Sequence, residues 1–281
     1  MANLFLDTSA QAVRLFYPPE EKADLVKLID SSIEVFIAEF SRYEFYHTWF
    51  SAFGRIFLSA STNPDMGTTI TRLGFTHENA KNVQIILGFL IGKQNPISSE
   101  PRVLAEQAEM WIEYLMDIYY LEIFGKNEPI KEIDIIGCSM LNEVYSNHNW
   151  INELGSFEYP QPERCNRNKA KCTLHKLVKN SEYELKRASS SLEAAKRDSK
   201  FRSVVPEVIK DHKVARGALN CSKLSDWMLL KHVPRNCEIA TMDEDWVVMA
   251  KDYGFTVHKI VVKNIFDRNQ AKNKMSGENS A

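Results

Sequence analysis

The clearest indication of the fold is the segment Asn3-Leu4-Phe5-Leu6-Asp7-Thr8-Ser9 near the start of the chain. A short apolar run followed by polar residues is typical of a buried β-strand whose outer end presents the polar groups. We therefore expect Asp7 to stand at the outer end of a first strand. Because an aspartate in that place gains little structurally, we interpret Asp7 as a candidate metal ligand.

Outward from this segment, both ends of the chain alternate between strand and helix patterns, which predicts an α/β fold. The residues Ser41-Arg42-Tyr43-Glu44 carry the Ser-x-x-Glu spacing of a capping box, which predicts the start of a helix. Near the other end, Gly254 follows a helical pattern and is expected to terminate it. The expected helices are 10–16, 21–29, 205–212, 224–232 and 246–253, and the expected strands are 3–6, 32–38, 238–241 and 255–262.

The middle of the chain, about 56–204, differs because it carries mostly helical patterns. Apolar residues recur at helical spacing in 76–93 and 101–124. Segment 129–148 is expected to be helical, with a strand at 133–136 as the alternative. Segment 174–199 has helical propensity but few apolar residues, which predicts an exposed and mobile helix.

Composition excludes few classes of protein. The 281 residues are 44% apolar and 26% charged, with a net charge of −2, as in ordinary globular proteins. Charge is unevenly spread, because residues 163–216 hold 15 Lys and Arg against 7 Asp and Glu. This basic segment suits anion binding, or it is simply a solvated helix. Five cysteines, no signal-peptide pattern and no run of about 20 apolar residues predict a cytoplasmic protein without a membrane span.

Several acidic residues stand where the predicted elements begin or end. Asp7 follows a strand, whereas Glu44 and Asp226 lie near the starts of helices. Asp243 and Asp245 follow the strand at 238–241. Ligand sites of parallel α/β sheets form beyond the carboxyl ends of strands, so these carboxylates converge if both ends of the chain share one sheet.

Converging carboxylates repel one another and stay ionised together only around a cation. Hard oxygen ligands favour Mg²⁺ or Mn²⁺, and such a site can activate water for hydrolysis of a phosphodiester. Each residue also has a plainer interpretation. Glu44 can complete a capping box, Asp226 suits the start of a helix, and Asp243 suits a turn.

Four short segments, in order along the chain, resemble motifs of the PIN-domain nuclease family. They are similar to its opening motif, its helical glutamate, its central aspartate and its "T-x-D-x-D-[FW]" strand exit. The segments are Phe5-Leu6-Asp7-Thr8-Ser9-Ala10, Phe40-Ser41-Arg42-Tyr43-Glu44-Phe45, Leu224-Ser225-Asp226-Trp227-Met228-Leu229-Leu230 and Ile239-Ala240-Thr241-Met242-Asp243-Glu244-Asp245-Trp246. The resemblance covers roughly 2–55 and 205–262, less than half of the chain.

The resemblance implies a three-layer α/β/α fold around a mostly parallel sheet, formed by a discontinuous core of residues 1–55 and 205–265. It also implies Mg²⁺- or Mn²⁺-dependent ribonuclease activity. The catalytic, metal-binding acids would be Asp7, Glu44, Asp226 and Asp243, with Asp245 as an accessory catalytic acid and Ser9 or Thr241 as a hydroxyl helper. The stretch 56–204 is far longer than in compact members of the family, so we interpret it as a mostly helical insertion that covers, regulates or extends the site.

Two further features lie in the basic part of the insertion, 163–204. The spacing Cys165-x6-Cys172-x2-His175 offers three zinc ligands, with free cysteines in a surface loop as the plainer interpretation. The candidates for phosphate contacts in the same loop are Arg164, Arg167, Lys169 and Lys171.

The expected partner is therefore nucleic acid, with RNA favoured over DNA, and a second copy of the chain or an inhibitor protein are further candidates. An alternative from another class is a catalytically inactive scaffold that binds a partner through its insertion. The polar tail, 266–281, is expected to be disordered.

Overall fold

The computed structural model describes residues 2–38, 41, 44–73, 80–94, 98–118, 130–133 and 172–262. Within them, one sheet contains the strands Asn3–Leu6 (β1), Val35–Ala38 (β2), Ile130–Ile133 (β3), Cys237–Thr241 (β4) and Val257–Lys259 (β5). The strands pair in the order β3-β2-β1-β4-β5, and every pairing is parallel. Both ends of the chain therefore share one parallel sheet.

Most of the predicted helices are present, with shifted boundaries. The helices of the first half are Thr8–Phe16 (α1), Pro19–Asp30 (α2), Ser51–Thr62 (α3), Met66–Arg72 (α4), Ala80–Lys93 (α5) and Pro101–Ile118 (α6), and a π-helical turn at Tyr46–Phe50 leads into α3. Those of the second half are Leu174–Asn180 (α7), Glu182–Ala194 (α8), Lys200–Lys210 (α9), Ala218–His232 (α10) and Glu244–Asp252 (α11). No helix in these ranges is both long and apolar enough to cross a membrane.

Helices cover both faces of the sheet. Successive side chains of a strand point to opposite faces, and β1 divides its residues accordingly. Leu4 and Leu6 belong to a core shared with α1, α3, α5 and α6. Phe5 belongs to a second core shared with α7 to α11, where its ring stacks on Trp246 at a centroid distance of 5.9 Å. The architecture is thus α/β with an all-parallel sheet, compatible with a three-layer α/β/α fold.

The predicted insertion is built onto these layers. Val83 and Leu104 join the core of Leu4, whereas Leu185 and Leu192 join the core of Phe5. The insertion also contributes β3, which lies beside β2 in place of the first residues of the helix expected at 129–148. Residues 134–150 and the tail 266–281 lie outside the described residues.

The expectation that segment 174–199 is exposed was only partly right, because most of its residues are exposed or half-buried but one stripe of apolar residues is buried. Five of its apolar residues, spaced three, four or seven positions apart, form one narrow stripe along α7 and α8 and are fully buried: Leu174, Val178, Leu185, Ala188 and Leu192. By contrast, Leu177 is half-buried and Tyr183 is 77% exposed. Because the stripe occupies few positions, the segment as a whole contains few apolar residues, and its composition did not predict that these residues are buried.

Gly254 is expected to be needed for the turn after α11, because its φ of +84° lies in the left-handed region. A Cβ added there would meet no atom within 4 Å, so a substitution costs backbone strain alone. We expect Gly254→Ala to lower the free energy of unfolding, measured by urea denaturation, by about 1 kcal/mol.

The matched control is Gly88→Ala, an exposed position within α5 that also leaves room for a Cβ. Alanine is more favourable than glycine inside a helix, so the free energy of unfolding of this variant should rise by about 0.5–1 kcal/mol. Shifts of the same sign in the two variants would contradict the assignment of strain to Gly254.

Candidate active site

The sheet has a switch point between β1 and β4. The strands β2 and β3 lie on one side of β1, whereas β4 and β5 lie on the other side. In open α/β sheets the crevice beyond the carboxyl ends of the strands at such a point is the usual ligand site. Leu6 pairs with Ala240 in the sheet, so that Asp7 and Thr241 come next to each other at this edge.

Asp7 is buried at the end of β1, with 3% of its surface exposed. One carboxylate oxygen accepts a hydrogen bond from the backbone N–H of Ala10 at 2.7 Å and so caps α1. The hydroxyls of Ser9 and Thr241 also donate to the carboxylate, at 2.8 and 2.5 Å. The premise that an aspartate here gains little structurally was therefore wrong, because Asp7 stabilises the start of α1.

Burial raises the pKa of Asp7 to about 7, even though the hydrogen bonds from Thr241, Ala10 and Ser9 favour the ionised form and lower it. The charge of Asp243 is a smaller contribution to this rise. Desolvation thus outweighs three hydrogen bonds, and the metal-free carboxyl group exchanges a proton near neutral pH.

Asp226, on α10, lies near Asp7 in the same cleft. Its Oδ1 accepts a hydrogen bond from the indole N–H of Trp246 at 2.9 Å, which fixes the carboxylate. Burial of the group raises its pKa well above the usual value, and the charges of Glu44, Asp243 and Asp7 raise it further. These repulsions show that the four acids predicted from the sequence lie close enough to influence one another.

Glu44 and Asp243 complete the acidic group. The Glu44 carboxylate accepts a hydrogen bond from the Thr8 hydroxyl at 2.7 Å, which ties it to the residue that follows Asp7. Asp243 caps α11 by accepting from the backbone N–H of Asp245 at 2.7 Å. Partial desolvation raises the pKa of Asp243, and the charge of Asp245 adds to this, whereas its backbone hydrogen bonds and Arg197 lower it.

The predicted hydroxyl helpers link these acids. Ser9 Oγ, besides donating to Asp7, accepts from the Met242 backbone N–H at 2.8 Å. Thr241 Oγ1, besides donating to Asp7, accepts from the Asp243 backbone N–H at 2.9 Å. The two hydroxyls therefore set the position of the loop after β4 relative to the end of β1.

Asp245 lies apart from this group. Its carboxylate forms an ion pair with Arg197 at 2.8 Å, and only 18% of the side chain is exposed. It does not line the cleft that contains the other acids. Asp245 therefore anchors the turn between α8 and α9 to the start of α11.

The four acids line one open cleft of about 450 Å³. Among the described residues, the same cleft is also lined by cationic side chains that the sequence did not single out, which are Lys81, Lys200 and Lys223. In the described part of the chain, no group of three or more His, Cys, Asp or Glu side chains is arranged so that it could hold a metal ion. The acids share a cleft, but their present rotamers do not form a finished metal site.

The zinc hypothesis is only partly covered by the described residues. Cys172 is a free, half-buried cysteine. Both ring nitrogens of His175 are engaged, one with the Cys172 carbonyl at 2.9 Å and the other with the Arg216 guanidinium at 2.8 Å. Four basic candidates and one cysteine lie outside the described residues: Arg164, Arg167, Lys169, Lys171 and Cys165. The zinc site and the phosphate contacts of this loop stay predictions.

Sequence reasoning missed several residues of the cleft. Lys223 stands three residues before Asp226, a spacing that places both on one face of α10 and would have pointed to it. The Thr8 hydroxyl was within the quoted first segment, but its bond to Glu44 spans 36 positions. Nothing in the sequence around Lys81 indicated that it lines the cleft, because only the tertiary packing of α5 brings it there.

Comparison of the chain with protein-family models, with curated proteins and with solved structures found no match, so the geometry described above is what supports an assignment of function.

Proposed function

We propose that this protein is a metal-dependent nuclease that hydrolyses phosphodiester bonds, with RNA favoured over DNA. The single observation that carries the proposal is the convergence of Asp7, Glu44, Asp226 and Asp243 in one cleft at the switch point of a parallel sheet. The finer description of the fold as three-layer and PIN-like is part of the same proposal, as is the preference for RNA, which rests on the resemblance to that family.

Electrostatics support a functional origin of this group. Asp226 is desolvated and lies within the field of three other carboxylates, an arrangement that destabilises the ionised form. A chain without use for these charges would gain stability from amides or apolar residues there, and sites that oppose stability are commonly functional.

The donor set fits Mg²⁺ or Mn²⁺, because all four candidates are carboxylates, which are hard oxygen ligands. Asp7, Glu44, Asp226 and Asp243 would hold the ion, and their side chains must move closer together to do so, since no ready-made group of three exists among the described residues. When bound, such an ion lowers the pKa of water and stabilises charge on a phosphate.

The chain's own residues prepare this site. Ser9 and Thr241 orient the Asp7 carboxylate, and the Trp246 indole orients that of Asp226. Burial keeps a proton on metal-free Asp7 up to a pH of about 7, so the ligand has to release it when a cation binds. Accordingly, we expect binding of Mn²⁺ to release protons near neutral pH.

We expect the purified full chain to cleave a labelled single-stranded RNA when Mn²⁺ or Mg²⁺ is present, and to cleave DNA of the same sequence more slowly. The reason is that only a cation can hold the four carboxylates ionised together beside a phosphate. Product formation on a denaturing gel, measured over a titration of each ion, should rise to saturation and stop when a chelator is added.

The Asp24→Asn protein, purified in the same way, serves as a control, because the Asp24 side chain on α2 is 99% exposed. It should cleave as fast as the wild type. Absence of cleavage of both RNA and DNA with either ion would overturn the nuclease proposal and favour the scaffold alternative. Cleavage that persists in the chelator would overturn the role of the metal.

A further inference from the structure

Positive charge borders the acidic group inside the cleft. Lys81 lies near the start of α5, Lys200 is the first residue of α9, and Lys223 lies within α10. Three helices distant in sequence thus each direct one lysine to the same cleft. An acidic cleft by itself repels a polyanion, so these cations bear on which ligands can approach the acids.

Two of these lysines stand on opposite walls. The α5 helix that carries Lys81 packs, through Val83, into the core on one face of the sheet. The α10 helix that carries Lys223 packs, through Leu224, into the core on the other face. Asp7 and Asp243 follow strand ends at the edge of the sheet between these two layers, and therefore lie between the walls that carry the two lysines. Asp226 lies on α10 together with Lys223.

The two ammonium groups are also available. Two lysines of the helices that surround Phe5 are paired with acids, Lys231 with Glu184 and Lys186 with Glu182. By contrast, neither Lys81 nor Lys223 has an ion pair with a described residue, although carboxylates line the same cleft. Lysines kept apart from nearby acids remain free to bind an anion that enters between them.

We propose that Lys81 and Lys223 bind backbone phosphates on the two sides of the phosphodiester that faces the acids. This inference rests on the proposed function and assigns the residues that hold its substrate strand. The substrate is a polynucleotide strand that extends past the acids in both directions, and a mononucleotide or a phosphomonoester occupies only part of the site. The insertion, which supplies Lys81, thereby takes part in substrate binding.

The test measures binding separately from cleavage. A short fluorescein-labelled single-stranded RNA is titrated with the full chain carrying Asp226→Asn, in a chelator, so that no strand is cut. Fluorescence anisotropy gives the association constant at salt concentrations between about 50 and about 200 mM. Variants Lys81→Ala and Lys223→Ala are compared singly and together, and Lys210→Ala is the control, because Lys210 is exposed at the end of α9 and does not line the cleft.

We expect each cleft lysine to contribute about 0.7 to the slope of log K against log salt, because each phosphate that it neutralises releases a condensed counterion. Each single variant should bind roughly 5-fold more weakly at about 0.1 M salt, and the double variant should lose both contributions. Lys81→Arg with Lys223→Arg should retain the slope, since the charge is kept. A mononucleotide should compete poorly with the labelled strand.

An unchanged slope in the double alanine variant would overturn the role of these lysines, whether or not the wild type cleaves RNA. Equal loss of slope in Lys210→Ala would overturn it too, because the effect would then be one of net charge. A lysine-dependent slope in a chain that never cleaves with Mn²⁺ would contradict the nuclease activity while supporting the phosphate contacts, so the two proposals fail separately.

Discussion

Asp226→Asn is expected to slow cleavage of RNA by at least about 100-fold and, at the same time, to stabilise the metal-free chain. The loss of activity should exceed the 10–100-fold that is typical when a partner of a metal ligand is removed, because Asp226 is itself a proposed ligand. The gain in stability follows from charge. Burial and the charges of Glu44, Asp243 and Asp7 disfavour the ionised Asp226, and a neutral amide avoids both effects.

The local structure should survive this substitution. The amide oxygen of asparagine can still accept the hydrogen bond that the Trp246 indole donates to Asp226 Oδ1. The size of the side chain is also unchanged, so the packing of α10 is preserved. Opposite shifts of activity and stability are expected where a site is maintained for function at the expense of stability.

The measurements are the initial rate of RNA cleavage in saturating Mn²⁺ and the melting temperature in a chelator at a pH of about 8, well above the usual range of an aspartate. Asp24→Asn, the exposed control on α2, should leave both quantities unchanged. A lower melting temperature of Asp226→Asn would contradict the electrostatic account of the cleft. Wild-type cleavage by this variant would remove Asp226 from the proposed metal site.

The stability of the metal-free chain is expected to fall as pH rises from about 4 to about 7, through the ionisation of Asp7. Burial raises the pKa of Asp7 from 3.8 to about 7, so the folded chain holds this proton more tightly than the unfolded chain does. A group of this kind contributes stability that is fully present below its unfolded pKa and is lost as pH rises through its folded pKa.

The size of the effect follows from the shift. About three pH units at 1.36 kcal/mol each correspond to roughly 4 kcal/mol, and no discount for solvent screening is needed because Asp7 is only 3% exposed. Asp7→Asn removes the ionisation but keeps one oxygen to accept from the Ala10 N–H that Asp7 caps. The variant should therefore be the more stable protein at pH 8 and should approach the wild type toward pH 4.

Urea denaturation of the wild type and of Asp7→Asn, in a chelator and at several pH values between about 4 and about 8, measures this difference directly. The excess free energy of unfolding of Asp7→Asn over the wild type should grow through the acidic range and level off above a pH of about 7. Asp226 also ionises with a raised pKa, so the difference between the two proteins, rather than the wild-type curve, isolates Asp7. A variant that is less stable than the wild type at pH 8 would contradict the assignment.

Much of the secondary structure could be predicted from the sequence, because local apolar patterns reflect burial. The alternation at both ends located β1, β2, β4 and β5, and Gly254 marked the end of α11. The helix that carries Asp226 begins earlier than its pattern indicated, since its first turn, after Gly217, lacks a regular apolar stripe. A strand in this part of the insertion was given only as an alternative and at 133–136, whereas β3 lies at Ile130–Ile133. Its pairing with β2 is a contact between segments about 95 positions apart, which no local pattern predicts.

For the candidate site, residue types and their places along the chain identified the four acids that line the cleft, and the two hydroxyls of Ser9 and Thr241. The role of Asp245 was not predictable, because its partner Arg197 comes from the turn after α8 and is separated from it by 48 positions. The structural importance of Asp7 was underestimated, since only the geometry of α1 shows that its carboxylate caps the helix.

The sequence by itself determined most of the strands and helices and which carboxylates stand near their ends, because these features depend on residues close together in the chain. Only the tertiary structure decided that β1 and β4 are neighbours, that the insertion packs on both faces of the sheet, and that Lys81 lines the same cleft as the acids. The physical reason is that burial and the interaction of charges depend on which residues are close in space, and not on which are close in the sequence. Asp7, near the start of the chain, has its pKa raised by burial and by Asp243, and only folding brings these two residues together.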